Sequence, residues 1–294
     1  MNVGFIGLGI MGKPMALNLI GGNHKVFLYS RSGVVQELKD AGGVALANAK
    51  EVAFHAEVII TMVPDTADVE QVLFDQNGVA EGLSPGKIVV DMSSISPIET
   101  KAFAARIRAL GCEYLDAPVS GGDVGARNAT LTIMVGGKEE VFAKVRPLFD
   151  LMGKNITLVG GVGDGQTCKV TNQIIVALTL EAVAEGLVFA SKAGADPSKV
   201  REALMGGFAG SRVLEVHGER MIKRNFQPGF RIELHRKDLS LALSGAHSLG
   251  VSLPATAAVR ELFNACMARG GAKWDHSALV KVIEDLACHE VSKD

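Results

Sequence analysis

Three polar residues near position 170 have the spacing of a shared ligand site. Lys169, Asn172 and Gln173 occupy positions i, i+3 and i+4 of a predicted helix, so their side chains share one face. A partly buried lysine can give a proton to the oxygen that forms when a hydride reaches a carbonyl carbon. We therefore expect Lys169 to be the acid/base group of a dehydrogenase and Asn172 to bind its substrate. On spacing alone, the alternative is that Lys169 is a solvated first-turn residue.

A glycine-rich turn near the N-terminus predicts a dinucleotide site. The sequence Gly-Leu-Gly-Ile-Met-Gly at 7–12 follows an apolar strand and opens a helix. Its first glycine permits a tight turn, its second lets the backbone approach a pyrophosphate, and its third allows close helix–sheet packing. Glycines used only for turns are the alternative. The predicted cofactor-binding residues of this turn are Gly7, Leu8, Gly9, Ile10, Met11 and Gly12.

The end of the second predicted strand favours NADP(H) over NAD(H). It reads Tyr-Ser-Arg-Ser at 29–32, without the acidic residue that NAD-selective sites usually carry there. Arg31 can pair with a 2′-phosphate, and Ser30 or Ser32 can add a hydrogen bond. A solvated surface arginine is the alternative.

Two further loops follow apolar strands at the edge where such folds bind ligands. Val63 and Pro64 can line the nicotinamide side, and Ser94 can hydrogen-bond the cofactor, although serines at strand ends also cap helices. These three residues are predicted cofactor contacts.

A loop after the strand ending near 117 offers a hydroxyl beside two bare backbone amides, which suits a carboxylate. Ser120, Gly121 and Gly122 are therefore the predicted substrate-binding residues, and an ordinary loop is the alternative. In the mixed-charge segment 230–239, Lys237 can reach the cofactor, with surface ion pairing as its alternative.

The elements that position these residues alternate between β and α up to about residue 160, which predicts an α/β domain with a doubly wound, Rossmann-type parallel sheet. The predicted strands are Val3–Ile6, Val26–Tyr29, Val58–Met62, Ile88–Asp91, Glu113–Ala117, Leu131–Val135 and Ile156–Val159. The predicted helices between them include Pro14–Ile20, Thr66–Phe74, Ile98–Leu110 and Glu139–Met152. Beyond the glycine-rich stretch 160–165 helical signals dominate, so we expect a dinucleotide-binding domain at 1–162 and an all-α domain for substrate and oligomerisation at 163–294.

A long apolar helix is predicted at 166–193 and joins the two domains. Glu181 and Glu185 interrupt its apolar run, which argues against a membrane span because charges at mid-bilayer are costly. We expect a buried helix of a soluble protein. Since it is apolar around much of its circumference, it also predicts a homodimer or homotetramer.

Composition excludes several classes of function. The formal net charge is −2, which gives no broad footprint for nucleic acid or an anionic membrane, and the basic stretch 220–224 is typical of a solvated helix face. The four cysteines have neither disulfide-framework nor zinc-site spacing, so we predict no metal. Without the features of a secretory leader, the chain is expected to start at or near Met1 and to be cytoplasmic.

Four motifs in order resemble the β-hydroxyacid dehydrogenase family, which includes the 3-hydroxyisobutyrate dehydrogenases. The resemblance spans essentially the whole chain and rests on GFIGLGIMGKPMA at 4–16, DAPVSGG at 116–122, GDGQTCKVTNQ at 163–173 and GFRIELHRKDL at 229–239. It implies that Lys169 is the catalytic lysine, with Ser120, Gly121, Gly122 and Asn172 at the substrate and Ser94 and Lys237 at the cofactor. The family's common Lys-x-x-Asn-Asn reads Lys-x-x-Asn-Gln here, which leaves the role of Gln173 open.

Within the family, the segments 91–95, 205–211 and 234–238 resemble the 2-hydroxy-3-oxopropionate (tartronate semialdehyde) reductases. This implies reversible NAD(P)H-dependent reduction of 2-hydroxy-3-oxopropanoate to D-glycerate, in glyoxylate or sugar-acid metabolism. The alternatives are a 3-hydroxyisobutyrate dehydrogenase or another short-chain semialdehyde reductase of the family and, in a different class, a non-catalytic nucleotide-sensing protein.

Overall fold

The apolar runs of the first half form one sheet of nine strands in the order β3-β2-β1-β4-β5-β6-β8-β7, with β9 paired to β8. Its central strands are buried on both faces, which is why they are continuously apolar rather than alternating. The strands are β1 Asn2–Ile6, β2 Lys25–Tyr29, β3 Val44–Ala45, β4 Val58–Thr61, β5 Ile88–Asp91, β6 Glu113–Asp116, β7 Val119–Ser120, β8 Leu131–Gly136 and β9 Gly153–Gly160.

The computed structural model describes residues 1–292, which divide into two compact units, Met1–Lys169 and Val170 onward. The predicted domain boundary at 162/163 stays a prediction. The helices of the first unit are α1 Gly12–Gly21, α2 Gln36–Asp40, α3 Ala49–His55, α4 Thr66–Phe74, α5 Val79–Gly82, α6 Pro97–Arg108, α7 Gly122–Arg127 and α8 Glu139–Asp150. They cover both faces of the sheet, and one apolar core lies on each face.

One edge of the sheet departs from the predicted all-parallel arrangement. β8 pairs antiparallel with β6 and β7, whereas β9 pairs parallel with β8. Only the short connection 121–130, which contains α7, separates β7 from β8. A parallel return needs a crossover of a dozen or more residues, so this chain reverses direction instead.

The second unit is helical. Its helices are the greater part of α9 Asp164–Lys192, then α10 Pro197–Met205, α11 Glu219–Ile222, α12 Ile232–Leu249, α13 Pro254–Ala268 and α14 Val280–Ala287. Single turns occur at Leu214–Gly218, Gly271–Lys273 and His276–Leu279. α10 begins as the sequence predicts, because Asp196 accepts a hydrogen bond from the Ser198 amide and Pro197 occupies the first helical position.

Helix α9 is less buried in the single chain than the sequence indicates. By length and composition alone it could cross a membrane, with a mean hydropathy of 1.9, and 33% of that apolar window is buried. Side chains such as Ile175 and Phe189 are 60% and 77% exposed. The chain therefore leaves an apolar stripe of this helix uncovered.

Candidate functional site

Five parallel strands of the first unit end in register at one edge of the sheet. The pairings place Tyr29, Ile6, Thr61, Asp91 and Asp116 side by side in that order. The segments that follow these residues must emerge together from this edge. Strand order reverses between β1 and β4, and ligands of such sheets bind at that switch point.

The glycine-rich turn follows β1 at this edge, and two of its glycines are required by the fold. Gly7 has φ +95°, and a Cβ there would collide with the carbonyl oxygen of Met62. A Cβ on Gly12 would collide with the carbonyl oxygen of Gly7. At Gly9, by contrast, a Cβ would meet nothing within 4 Å. Packing does not explain that glycine, whereas a ligand lying against the backbone would.

The start of α1 has the electrostatics of an anion site. Met11, at its N-cap, makes no side-chain capping hydrogen bond, and the first turn contains no acidic residue. The partial positive charge of the helix end is therefore not neutralised by this chain. The turn and helix start suit the pyrophosphate of a dinucleotide.

The residues after β2 stand in solvent. The Arg31 side chain is 82% exposed and lies 3.5 Å from Asp68 Oδ1, and the Ser30 and Ser32 hydroxyls are 3.1 Å apart. An ion pair with so exposed an arginine contributes little to stability. The role of Arg31 in binding a phosphate stays a prediction.

A buried polar network fixes the loops after β4 and β5. Asp91 Oδ1 accepts from the Thr61 hydroxyl at 2.8 Å and from the Ser93 amide at 3.1 Å. The Ser93 hydroxyl accepts from the Val63 amide at 3.0 Å. The network holds Val63, a predicted cofactor contact, and the loop that carries Ser94. The sequence alone indicates no role for Asp91 or Ser93.

Asp116 and Gln166 tie the start of α9 to the sheet edge. Asp116 accepts from the Gly163 amide at 2.7 Å and from the Gln166 amide at 2.8 Å. The Gln166 side chain donates to Ser93 O at 2.7 Å and accepts from the Ile95 amide at 3.1 Å. Burial raises the pKa of Asp116 to about 6 although both amides lower it. Both residues lie within the family motifs, DAPVSGG at 116–122 and GDGQTCKVTNQ at 163–173, but the sequence does not indicate that they meet.

The predicted carboxylate-binding loop is shaped by its glycines. Gly121 has φ +130° and Gly122 has φ +61°, both in the region that favours glycine. Ser120 ends β7, and α7 begins at Gly122. The backbone conformation explains why glycines stand here. Anion binding by this loop remains a prediction.

The predicted catalytic lysine lies in α9 and is only 7% exposed, which does not fit a solvated first-turn residue. In the second unit, the side chain of Gln173 accepts from Asn172 Nδ2 at 2.7 Å and donates to Asp238 Oδ2 at 2.6 Å. Asp238 Oδ1 lies 3.1 Å from Lys237 Nζ, in a pair whose side chains are 4% and 16% exposed. Gln173, whose role the sequence left open, thus connects Asn172 to a buried ion pair.

Behind Gln173 lies a histidine cluster that sequence analysis missed. His235, His276 and His217 contact one another in succession, and Asp275 stands beside His217. His235 and His276 are 0% and 5% exposed. His235 lies within the family motif at 229–239, but nothing in the sequence indicates that His217 and His276 contact it.

The basic stretch 220–224 is not the solvated helix face that the sequence indicates. Arg220 pairs with Asp275 at 2.8 Å, and Arg224 makes a two-bond contact with Glu284. Their carboxylate partners are 0% and 5% exposed. Since a buried carboxylate needs a paired cation, both arginines turn inward.

Two family models match the chain in succession. The NAD binding domain of 6-phosphogluconate dehydrogenase matches residues 2–161. The model described as NAD-binding of NADP-dependent 3-hydroxyisobutyrate dehydrogenase matches residues 163–283. Together they cover both units.

Individual relatives match over almost their full length. The 2-hydroxy-3-oxopropionate reductase of Escherichia coli K12 is 61% identical over 292 residues, 99% of this chain and 100% of that protein. Among solved structures, Mycobacterium tuberculosis 3-hydroxyisobutyrate dehydrogenase with L-serine has a TM-score of 0.87 at 32% identity, covering 96% of this chain and 98% of that one. Psf3 in complex with NADP+ and 2-OPP has a TM-score of 0.85 at 25% identity, covering 96% and 99%.

Proposed function

This chain belongs to the 3-hydroxyisobutyrate dehydrogenase-related family of NAD(P)-dependent oxidoreductases, and we propose that it reversibly reduces 2-hydroxy-3-oxopropanoate (tartronate semialdehyde) to D-glycerate. The observation that carries the substrate is the 61% identity, over the full length, to a reductase of that acid. The motifs at the candidate site support the same chemistry.

Lys169 is the proposed acid/base group. When bound, the reduced nicotinamide supplies a hydride to the aldehyde carbon. The oxygen then needs a proton, which the Lys169 ammonium gives and recovers in the reverse direction. Its burial supports the role, because a group shielded from water exchanges its proton with the substrate rather than with solvent.

The substrate is held at its two polar ends. Ser120 with the amides of Gly121 and Gly122 binds the carboxylate, since a hydroxyl and adjacent N–H groups can all donate to it. Asn172 binds the substrate hydroxyl. One Nδ2 hydrogen is donated to Gln173, which leaves the second Nδ2 hydrogen and Oδ1 for the substrate.

The cofactor is proposed to be NADP(H), with NAD(H) as the alternative. Residues 7–12 take the pyrophosphate, and Val63, Pro64, Ser94 and Lys237 contact the cofactor further along. Arg31 with Ser30 takes the 2′-phosphate, which its exposed guanidinium supports. The relative Psf3 is described with NADP+.

The protein is proposed to act as a cytoplasmic homodimer or homotetramer. The uncovered apolar stripe of α9 supports self-association, because exposed apolar faces of this kind mark interfaces.

A second candidate is 3-hydroxyisobutyrate dehydrogenase activity. The match over residues 163–283 and the fold similarity to the Mycobacterium tuberculosis enzyme both favour it. The two candidates differ in the group carried beside the aldehyde, a hydroxyl in one and a methyl in the other.

Purified protein should be assayed for NADPH oxidation with 2-hydroxy-3-oxopropanoate and with methylmalonate semialdehyde. We expect kcat/KM at least about tenfold higher for the first, because a site that hydrogen-bonds a hydroxyl rejects an analogue without it. Equal or better turnover of methylmalonate semialdehyde would establish the second candidate. Cofactor binding without turnover of any hydroxy acid or semialdehyde would indicate a nucleotide-sensing protein.

A further inference from the structure

Three histidines of the second unit form a hydrogen-bonded chain that begins at a main-chain carbonyl and ends near a carboxylate. His235 Nε2 lies 3.1 Å from Gln173 O, and His235 Nδ1 lies 2.9 Å from His276 Nδ1. His276 Nε2 lies 3.2 Å from His217 Nε2. His217 Nδ1 lies 3.7 Å from Asp275 Oδ1 and makes no hydrogen bond with any residue of 1–292.

The carbonyl end fixes the direction of every hydrogen bond. A carbonyl oxygen only accepts, so His235 Nε2 must carry a hydrogen. In a neutral ring the Nδ1 of His235 is then bare and accepts from His276 Nδ1–H. By the same rule, His276 Nε2 accepts from His217 Nε2–H. Each ring tautomer therefore follows from its neighbour.

The middle ring of the chain is neutral. Burial, with the neighbouring rings of His235 and His217, lowers the pKa of His276 well below its ordinary value. A neutral His276 has one N–H and one bare nitrogen, so it can donate to His235 and accept from His217 at the same time. The hydrogen bonds therefore run without a break from Gln173 O to His217.

A metal ion fits this cluster poorly. Asp275 Oδ2 already accepts from Arg220 at 2.8 Å and from the Gly229 and Phe230 amides. Its Oδ1 accepts from the Ser277 hydroxyl at 2.6 Å and from the Ser277 amide. The carboxylate has no oxygen to spare, and Arg220 would repel a cation.

Charged groups flank both ends of the chain. Although burial raises the pKa of Asp275, the adjacent His217 and His276, the hydrogen bonds from Ser277 and the Arg220 guanidinium together hold that pKa well below its usual range. Asp275 is therefore anionic, and it pairs with Arg220 at 2.8 Å. On the other side of Gln173, Asp238 and Lys237 neutralise each other as an ion pair.

We propose that His235 is a positioning residue, which holds Gln173 and thereby orients Asn172, and that His276 and His217 hold the ring of His235 in turn. The inference rests on the proposed substrate role of Asn172. Gln173 is held twice, by its side chain through Asp238 and by its carbonyl through His235. Its Oε1 then fixes the amide of Asn172.

The protonation pattern can be measured without any assay of activity. In protein labelled with 15N-histidine, NMR should show His235 as the neutral Nε2–H tautomer and His276 as the neutral Nδ1–H tautomer. The opposite tautomer at either ring would overturn the chain. So would stoichiometric binding of added Zn²⁺ that shifts the His217 and His276 signals.

Kinetics test the positioning role. With 2-hydroxy-3-oxopropanoate and NADPH, His235→Phe should raise KM about tenfold and lower kcat less than about threefold, with unchanged NADPH affinity. His235→Gln, which restores the donor to Gln173 O, should recover most of the loss. His247→Phe, exposed on the same helix α12, is the matched control and should have no effect. A His235→Gln variant as impaired as His235→Phe, or an equal loss of NADPH affinity, would contradict positioning.

A variant at the less buried end covers the case in which His235→Phe does not fold. His217→Phe removes the N–H that donates to His276 Nε2 and so loosens the chain at that end. It should raise KM for 2-hydroxy-3-oxopropanoate about threefold, with unchanged NADPH affinity. An unchanged KM, or an equal loss of NADPH affinity, would refute the inference. Should the NMR pattern hold while 2-hydroxy-3-oxopropanoate is not reduced, only the proposed function fails.

Discussion

The glycine-rich turn of the first unit and the histidine chain of the second are built in opposite ways. The turn consists of consecutive residues, 7–12, whose backbone is proposed to bind the pyrophosphate. The chain joins His217, His235 and His276 to Gln173, and no two of these are near in sequence. A site made by consecutive residues can be identified from their order, whereas one assembled from distant side chains exists only once the chain has folded.

The two regions also hold helix α9 by different means. In the first unit, the carboxylate of Asp116 accepts two amides near the start of the helix. In the second, a ring N–H of His235 donates to a carbonyl further along it. The first anchor is a single side chain at the helix end, where free N–H groups need an acceptor. The second depends on a row of three histidine rings. Lys169 lies between these two anchors in the sequence of α9.

The largest expected effect is that of removing Lys169, which tests the proton transfer itself and not the contacts that hold α9. Lys169→Ala should lower kcat roughly a thousandfold, because proton transfer by a positioned group contributes about that much. NADPH affinity, measured by fluorescence titration, should hardly change. Lys192→Ala, at the exposed end of the same helix, is the control. Near-normal turnover of Lys169→Ala would remove the lysine from the mechanism.

A smaller effect, from Gly9→Ala, should show whether the glycine-rich turn binds a ligand or serves only the fold. Gly9→Ala should weaken cofactor binding about tenfold or more, because its Cβ would occupy the space of the pyrophosphate. The melting temperature should stay nearly constant, since that Cβ meets no protein atom within 4 Å. Gly21→Ala also adds a Cβ in open space and should leave both properties unchanged. Unaltered affinity in Gly9→Ala would reduce the turn to a structural role.

The smallest effect concerns cofactor choice. Arg31→Asp should move the preference from NADPH toward NADH by about tenfold, because a carboxylate repels the 2′-phosphate and accepts from ribose hydroxyls. The ratio of kcat/KM for the two cofactors measures it, with Arg108→Asp, exposed in the same unit, as control. An unmoved ratio would show that Arg31 does not contact the phosphate.

Local signals account for most of the fold that could be predicted. Predicted and observed bounds coincide for α4 at Thr66–Phe74 and for β5 at Ile88–Asp91, and α9 at Asp164–Lys192 differs by only a few residues from 166–193. Apolar runs, caps and turn residues act over a few positions, so they can be identified in order along the chain. The two-residue strands β3 and β7 were not predicted, because so short a segment has no periodicity.

The sequence by itself determined the α/β class, the glycine turn and the motifs that identify the family. Only the tertiary structure decided that β8 runs antiparallel, that Asp116 and Gln166 hold the start of α9, and that Arg220 and Arg224 turn inward. It alone brought His217, His235 and His276 together. The physical reason is that a buried polar group must find its partner among whatever residues the fold places within about 3 Å. Those residues are chosen by packing, not by proximity in the chain.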